Sequence, residues 1–96
     1  MPTYIVLTKW TDQGAKNAKD AVQRMHQFRS DLERRGCKLR SCHWTQGQYD
    51  SITIVETPDE QTGMAALLAL GSLGNVHTET LRAYNETEME AIFQKM

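Results

Sequence analysis

The residues best suited to chemistry in this chain lie around a turn near its middle. Residues 45–48, with the sequence Thr-Gln-Gly-Gln, are typical of a β-turn because the glycine can adopt a positive φ. A symmetric turn at positions 46 and 47 places His43 opposite Asp50, and Trp44 opposite Tyr49, on two antiparallel strands. The sequence therefore predicts an Asp–His pair at the end of a hairpin.

This pair could act as a general base. A carboxylate that accepts the imidazole N–H fixes the tautomer of the histidine and raises the basicity of its other nitrogen. We therefore predict that His43, Asp50 and the neighbouring Tyr49 are catalytic residues. The alternative is structural: Asp50 caps the turn or pairs with Lys9, and His43 packs at the end of a strand.

Aromatic side chains predict a ligand cavity beside the pair. The cavity would have Trp10, Trp44, Tyr49 and Tyr84 as its walls. Arg82 could supply a positive group for a carboxylate or an enolate. The predicted ligand-binding residues are Lys9, Trp10, Trp44, His77, Thr78 and Arg82. The alternative is that the aromatic residues form the core of a dimer, with Arg82 in a salt bridge between subunits.

The sequence predicts neither a metal nor a cofactor. His77 and Glu79 lie on one face of a strand, and His43 could join His77, but such pairs more often mark a solvated strand edge than a metal site. Cys37 and Cys42 would be roughly 16 Å apart in an extended strand. A disulfide needs Cα atoms within about 7 Å, so we expect free thiols. No cofactor-binding motif is present.

Hydrophobic patterns predict the elements that position these residues. Residues 3–8 are apolar on both parities, as in a central strand with two buried faces. The other predicted strands are residues 37–44, 51–56 and 76–84. After a polar loop at residues 11–16, apolar residues recur at spacings of three and four over residues 18–32. They predict an amphipathic helix that ends at Gly36. A second helix begins at Pro58 behind a capping box, and a short terminal helix follows Asn85.

The element order β-α-β-β-α-β with a tail helix predicts one α+β domain over residues 1–96 with the ferredoxin-like fold. Right-handed crossovers give an antiparallel four-stranded sheet in the order 4-1-3-2, with two helices on one face. The face predicted to lie under the helices carries Leu39, Ile52, Ile54, Ile5, Leu7, Leu81 and Ala83. The predicted open face carries Tyr4, Val6, Thr8, Trp10, Trp44, Tyr49, Val55 and Arg82, among others. A monomer rarely exposes so much apolar surface, so we expect this face to be covered; in the dimeric α+β barrels, which this fold resembles, the cover is the sheet of a second copy, and the alternative cover is the tail helix.

Gly47, Tyr49 and Asp50, together with the segments 7–14 and 70–76, resemble the motifs of the GYD-domain family, which is named for those three residue types. The resemblance covers nearly the whole chain. It implies a small ferredoxin-like protein of the dimeric α+β-barrel kind, assembled through its sheet into a homodimer or a larger ring. It implies no particular reaction.

Composition narrows the range of partners. With 11 basic and 12 acidic residues the net charge is −1, so the chain has no basic excess to neutralise the phosphates of nucleic acid. No stretch approaches roughly 18 apolar residues, and no basic region precedes an apolar run, so we expect no membrane span, no signal peptide and a cytoplasmic location. The predicted function is small-molecule binding, or cofactor-independent catalysis on a small aromatic or carbonyl-bearing compound. The alternative is a structural or regulatory oligomerisation module without turnover.

Overall fold

An antiparallel sheet of four strands is the frame of the protein in the computed structural model, which describes residues 1–96. The strands are β1 (Thr3–Trp10), β2 (Lys38–Trp44), β3 (Ser51–Glu56) and β4 (Val76–Ala83). Their order, β2-β3-β1-β4, is the predicted order counted from the other edge. The helices are α1 (Asp12–Lys16), α2 (Ala21–Arg34), α3 (Glu60–Ser72) and α4 (Glu86–Phe93), with a 3₁₀ turn at Ala18–Asp20. The predicted α+β, ferredoxin-like fold is confirmed.

Local hydrogen bonds set the ends of the longer helices. Gly36 follows α2 in the left-handed region, with φ 81°, as predicted. Asn85 and Glu88 form a reciprocal capping box at the start of α4. Helix α3 begins later than predicted, because its N-cap is Asp59, whose carboxylate accepts a backbone N–H of the first turn at 2.7 Å. The Thr57 hydroxyl, predicted as the cap, instead donates to the Asp59 carbonyl at 2.9 Å.

The polar segment 11–16, predicted as a loop, contains helix α1. Its N-cap, Thr11, accepts the N–H of Gly14 at 3.1 Å. The backbone N–H of Thr11 donates to the carbonyl of Asn75 at 3.0 Å, and its hydroxyl donates to the carbonyl of Gly74 at 2.6 Å. These bonds fasten α1 to the loop that precedes β4. The approach requires glycine, because a Cβ at position 14 would lie 2.1 Å from the Asn75 carbonyl oxygen.

The β2–β3 hairpin does not have the predicted register. His43 is opposite Ile52, so the prediction that it faces Asp50 is wrong. The reason lies in the connection, which is the loop 45–50 instead of a tight turn at positions 46 and 47. The N–H of Thr45 closes this loop by donating to the Asp50 carbonyl at 2.9 Å. The extra loop residues move the pairing along β3 and leave Asp50 outside the strand.

The two faces of the sheet are the reverse of the prediction. The core beneath α2 and α3 consists of Val6, Phe28, Leu32, Cys37, Val55 and Ala66. The buried Thr8, Ser51 and Thr53 share this inner face. The opposite face carries Ile5, Leu7, Ile52, Ile54 and Leu81, and we call it the open face. The crossover connections, rather than the aliphatic alternation of one strand, decide which face the helices cover. Leu39 alone keeps its predicted place under the helices, because a bulge after it changes the register of β2.

The open face has no cover within the chain. Leu81 is 44% exposed there. The alternative cover, α4, makes only slight contact with the other elements. Its own apolar residues Ile92 and Phe93 are 38% and 56% exposed, so α4 does not bury its stripe against the sheet. None of the helices combines the length and the hydrophobicity that a membrane span needs.

Candidate functional site

Asp50 fastens the start of β3 to the end of β1. Its Oδ2 accepts the backbone N–H of Trp10 at 2.8 Å. Its own N–H donates to the carbonyl of Thr8 at 2.8 Å, and its carbonyl accepts the N–H of Thr45 at 2.9 Å. Its N–H and one carboxylate oxygen therefore hold the loop against β1, and its carbonyl closes the loop.

Replacement of Asp50 should reveal this structural role. We expect Asp50→Ala to lower the free energy of unfolding by about 1–3 kcal/mol, because the half-buried N–H of Trp10 loses its acceptor. Asp50→Asn keeps an oxygen at the same position and should lose less than half as much. Urea unfolding of the three proteins, followed by circular dichroism, measures the difference. An Asp50→Ala protein as stable as the wild type would contradict the role given to this carboxylate.

His43 and Asp50 do not form the predicted dyad. His43 is exposed on the side of β2 that faces away from the helices, and none of the hydrogen bonds of Asp50 goes to it. The dyad was predicted from that register, so the prediction that His43 and Asp50 lie opposite each other is wrong. A catalytic role for His43, Tyr49 and Asp50 stays a prediction.

Tyr49 belongs to a polar cluster at one end of the open face. Its hydroxyl donates to Oε2 of Glu79 at 2.5 Å. This hydrogen bond, together with burial, raises the pKa of Tyr49, so the hydroxyl stays protonated as a donor. Lys9 Nζ lies 5.5 Å from the centre of the Tyr49 ring, and Lys9 is paired with His77 across β1 and β4. Three of the predicted site residues, Lys9, Tyr49 and His77, are thus brought together, but on the rim of the open face.

Arg82 and Tyr84 lie at the other end of the sheet. Arg82 is opposite Tyr4, which is roughly 20 Å along β1 from Trp10. Its guanidinium lies 4.4 Å from the centre of the Tyr84 ring, with a nitrogen 3.6 Å from the Glu88 carboxylate. The structure therefore does not bring Arg82 and Tyr84 together with the two tryptophans.

Trp10 and Trp44 line a cleft of about 700 Å³ on the inner face of the sheet, between α2 and α3. Its floor carries the hydroxyl-bearing residues Thr8, Ser51 and Thr53. Trp44 is opposite Ser51, which in turn is opposite Thr8, so these groups form a row across three strands. Trp44 is 43% exposed in this position. The cleft has the size and the mixed lining of a ligand pocket.

One side of this cleft, which α2 and the residues leading into it supply, was not predicted from the sequence. The polar lining residues on that side include Asp20, Arg24, Gln27 and Asp31. These residues are spaced four, three and four apart, so they form a polar stripe on the helix beside its apolar stripe. This polar stripe is the sequence signal that could have revealed the cleft. The predicted ligand residue Thr78 is opposite Thr8 but is exposed one strand away and does not line the cleft.

The histidine and cysteine side chains form no metal centre in this structure. No three His, Cys, Asp or Glu side chains come together as a ligand set, and Glu79 is engaged with Tyr49. Cys37 and Cys42 are free thiols. Burial raises the pKa of both thiols, which keeps them protonated and unreactive near neutral pH.

Known proteins resemble this chain along most of its length. The family model of the GYD domain matches residues 4–93. A protein of Thermus thermophilus, named glutamine synthetase and cystathionine beta-lyase binding protein, is 38% identical over 84 residues. The match covers 86% of this chain and 88% of that protein. No solved structure matches the chain significantly.

Proposed function

Since this chain belongs to the GYD-domain family, we propose that it is a protein-binding domain whose partner is a glutamine synthetase or a cystathionine beta-lyase. The observation that carries the proposal is the 38% identity to a protein named for binding those two enzymes. Because the match spans 88% of that relative, its binding has to reside largely in the domain that both chains share. We do not extend the proposal to catalysis.

The outer side of α3 is the surface that fits such a partner best. Met64 and Leu68, one helical turn apart, are 60% and 66% exposed. Apart from Glu60 at its first position, α3 carries no charged residue. The centres of protein interfaces are depleted in charge and enriched in methionine, whereas ordinary solvent-facing helices carry charged residues. An exposed apolar helix therefore supports contact with an enzyme surface.

Binding can be tested with the two enzymes from the same organism. We expect biolayer interferometry with the immobilised chain to give saturable binding of at least one enzyme. The double variant Met64→Glu/Leu68→Glu should weaken it at least tenfold, about 1.4 kcal/mol, because charge enters the apolar contact. Val22→Glu, on α2, is the matched control, since Val22 is 55% exposed but lies outside this surface.

The outcomes separate the function from the surface. If neither enzyme binds, the protein-binding proposal fails. If an enzyme binds the double variant and the wild type equally well, the function stands and the surface on α3 is wrong.

We also propose that two copies pair through the open face. The open face has an area in plan of roughly 400 Å², because its four strands are about 4.8 Å apart and about six residues long. The relief of the side chains and the rim add accessible surface to this value, which brings the face toward the roughly 800 Å² per partner that a standard interface buries. Each end of the face carries both signs of charge, Lys9 with Glu79 at one end and Arg40 with Glu56 at the other. A copy related by a two-fold axis therefore meets opposite charges in either orientation.

A second candidate function is the binding of a small molecule in the cleft between α2 and α3. The specific observation in its favour is that the cleft, about 700 Å³ in volume, has both tryptophans of the chain in its lining. Trp44 is 43% exposed, so a ligand that covers its indole gains the burial of further apolar area. This function does not exclude the first, because the cleft and the outer side of α3 are different surfaces.

A further inference from the structure

The lining of the cleft between α2 and α3 specifies the shape of a ligand. Trp44 on β2 lies in line with Thr8 on β1, two strands away, and Trp10 is two residues farther along β1. The Cα atoms of the two tryptophans are therefore roughly 12 Å apart. Both tryptophans line the cleft, so a flat ring that lies between them can contact both indoles. A planar ring can stack on both indoles, whereas a saturated ring of the same size gains contact with only part of each.

The charged residues that line the cleft nearly balance one another, so they offer little net attraction to a charged ligand. Asp31 is paired with Arg34 at 2.5 Å and with Arg35 at 2.8 Å. Arg24 donates to the carbonyl of Asn17 at 2.7 Å. Asp20 is exposed at the rim and, like Arg24, makes no ion pair, so the lining carries one unpaired charge of each sign and favours neither an anion nor a cation.

The floor of the cleft offers hydrogen bonds without charge. Thr8 and Ser51 are paired neighbours on the inner face, and each carries a hydroxyl that can donate or accept. Thr53 adds a third hydroxyl to the lining. The hydroxyls of Ser51 and Thr8, which lie in the same row across the sheet as Trp44, suit the polar edge of a ring, such as an amide or a ring nitrogen.

We propose that this cleft binds a neutral, planar heteroaromatic molecule that stacks on Trp10 and Trp44 and sets its polar edge on the hydroxyls of Thr8 and Ser51. The proposal rests on small-molecule binding as a function of the cleft and adds the chemical class of the ligand. It is independent of the enzyme partner.

The two tryptophans make the test specific to this site. Because Trp10 and Trp44 are the only tryptophans in the chain, their two indole N–H signals in a ¹⁵N–¹H NMR spectrum report on the cleft alone. The neutral planar probes are nicotinamide and caffeine. Nicotinate has the shape of nicotinamide with a negative charge, and cyclohexanecarboxamide is neutral but not planar. Each probe is titrated to its solubility limit.

We expect saturable shifts of both indole signals with at least one neutral planar probe, with a Kd on the order of 1 mM for so small a molecule. Nicotinate and cyclohexanecarboxamide should bind at least tenfold more weakly. Trp44→Leu and Ser51→Ala should each weaken the binding of the neutral planar probe at least fivefold. Tyr84→Leu, at the other end of the sheet, should leave it unchanged.

Each other outcome overturns a defined part of the proposal. If no probe shifts the indole signals, small-molecule binding at the cleft fails together with the ligand class. If nicotinate or cyclohexanecarboxamide binds as well as the neutral planar probes, the ligand class is wrong and the cleft is still a binding site. If binding survives in Trp44→Leu, stacking is not its basis. Because Trp44 is 43% exposed, its variant should remain folded, which a thermal melt verifies.

Discussion

Gly14→Ala is expected to destabilise the domain by roughly 3 kcal/mol or more. Two effects of opposite sign compete. Alanine favours the helical backbone of α1 by up to about 1 kcal/mol. Against this, the new Cβ would lie 2.1 Å from the backbone oxygen of Asn75, which cannot move without breaking its 3.0 Å hydrogen bond from Thr11. Overpacking against backbone costs more than helix propensity returns, so the clash decides the sign.

Gly71→Ala is the matched control for this prediction. Gly71 lies in α3, and nothing stands within 4 Å of a Cβ built there, so only the propensity remains. We expect Gly71→Ala to be as stable as the wild type or more stable by up to about 1 kcal/mol. Thermal unfolding followed by circular dichroism should show Gly14→Ala melting at least about 10 °C below the control. Equal melting temperatures would mean that α1 does not approach the 74–75 loop as closely as described.

If two copies pair through the open face as proposed, Ile54→Lys is expected to convert the dimer into a monomer. Ile54 lies on β3 near the middle of the open face, directly opposite Ile5 on β1. A lysine there would have to leave water when two copies pair, and neither sheet centre offers it a partner. We expect the dissociation constant to rise at least about 100-fold, which corresponds to ~2.7 kcal/mol. Size-exclusion chromatography with light scattering at micromolar concentration measures the mass.

Two further variants make this result interpretable. Leu81→Lys alters the same face at a position that is already 44% exposed, so it should weaken the pairing without a risk to the fold. Thr80→Lys, the next residue, places the same charge on the other face of β4 and should leave the mass unchanged. A wild-type protein that is monomeric at every concentration, or an Ile54→Lys protein that stays dimeric, would contradict pairing through this face.

The element order could be predicted from the sequence because each element carries its own local signal. Gly36 marks the end of α2, and Asn85 with Glu88 marks the start of α4, and both signals act over one helical turn. The sheet order then follows from crossover rules that need no side-chain detail. The loop 45–50 had no such signal. Its closure depends on Asp50 bonding to β1, a contact between residues that are distant in sequence.

The assignment of the sheet faces failed for a different reason. Ile52 and Ile54 give β3 a clear aliphatic side, and this side normally packs beneath helices. Here Ser51, Thr53 and Val55 take that place instead. Alternation shows only which residues share a face of the sheet. A strand that is apolar at both its odd and its even positions, such as β1, does not reveal which face the helices cover. The side of the cleft that α2 supplies was missed as a consequence, because Trp10, Trp44 and the floor lie on the face that was assigned to the exterior.

The sheet thus keeps hydroxyl-bearing residues inside and turns its more aliphatic side outward. If a second copy covers that aliphatic side, as proposed, part of the hydrophobic stabilisation of each chain comes from its partner. Folding and pairing of the dimer would then share one equilibrium, so the folded fraction would rise with the amount of chain in the cell. Expression level would act as a control: scarce chains would be marginally stable and open to proteolysis, and abundant chains would protect one another.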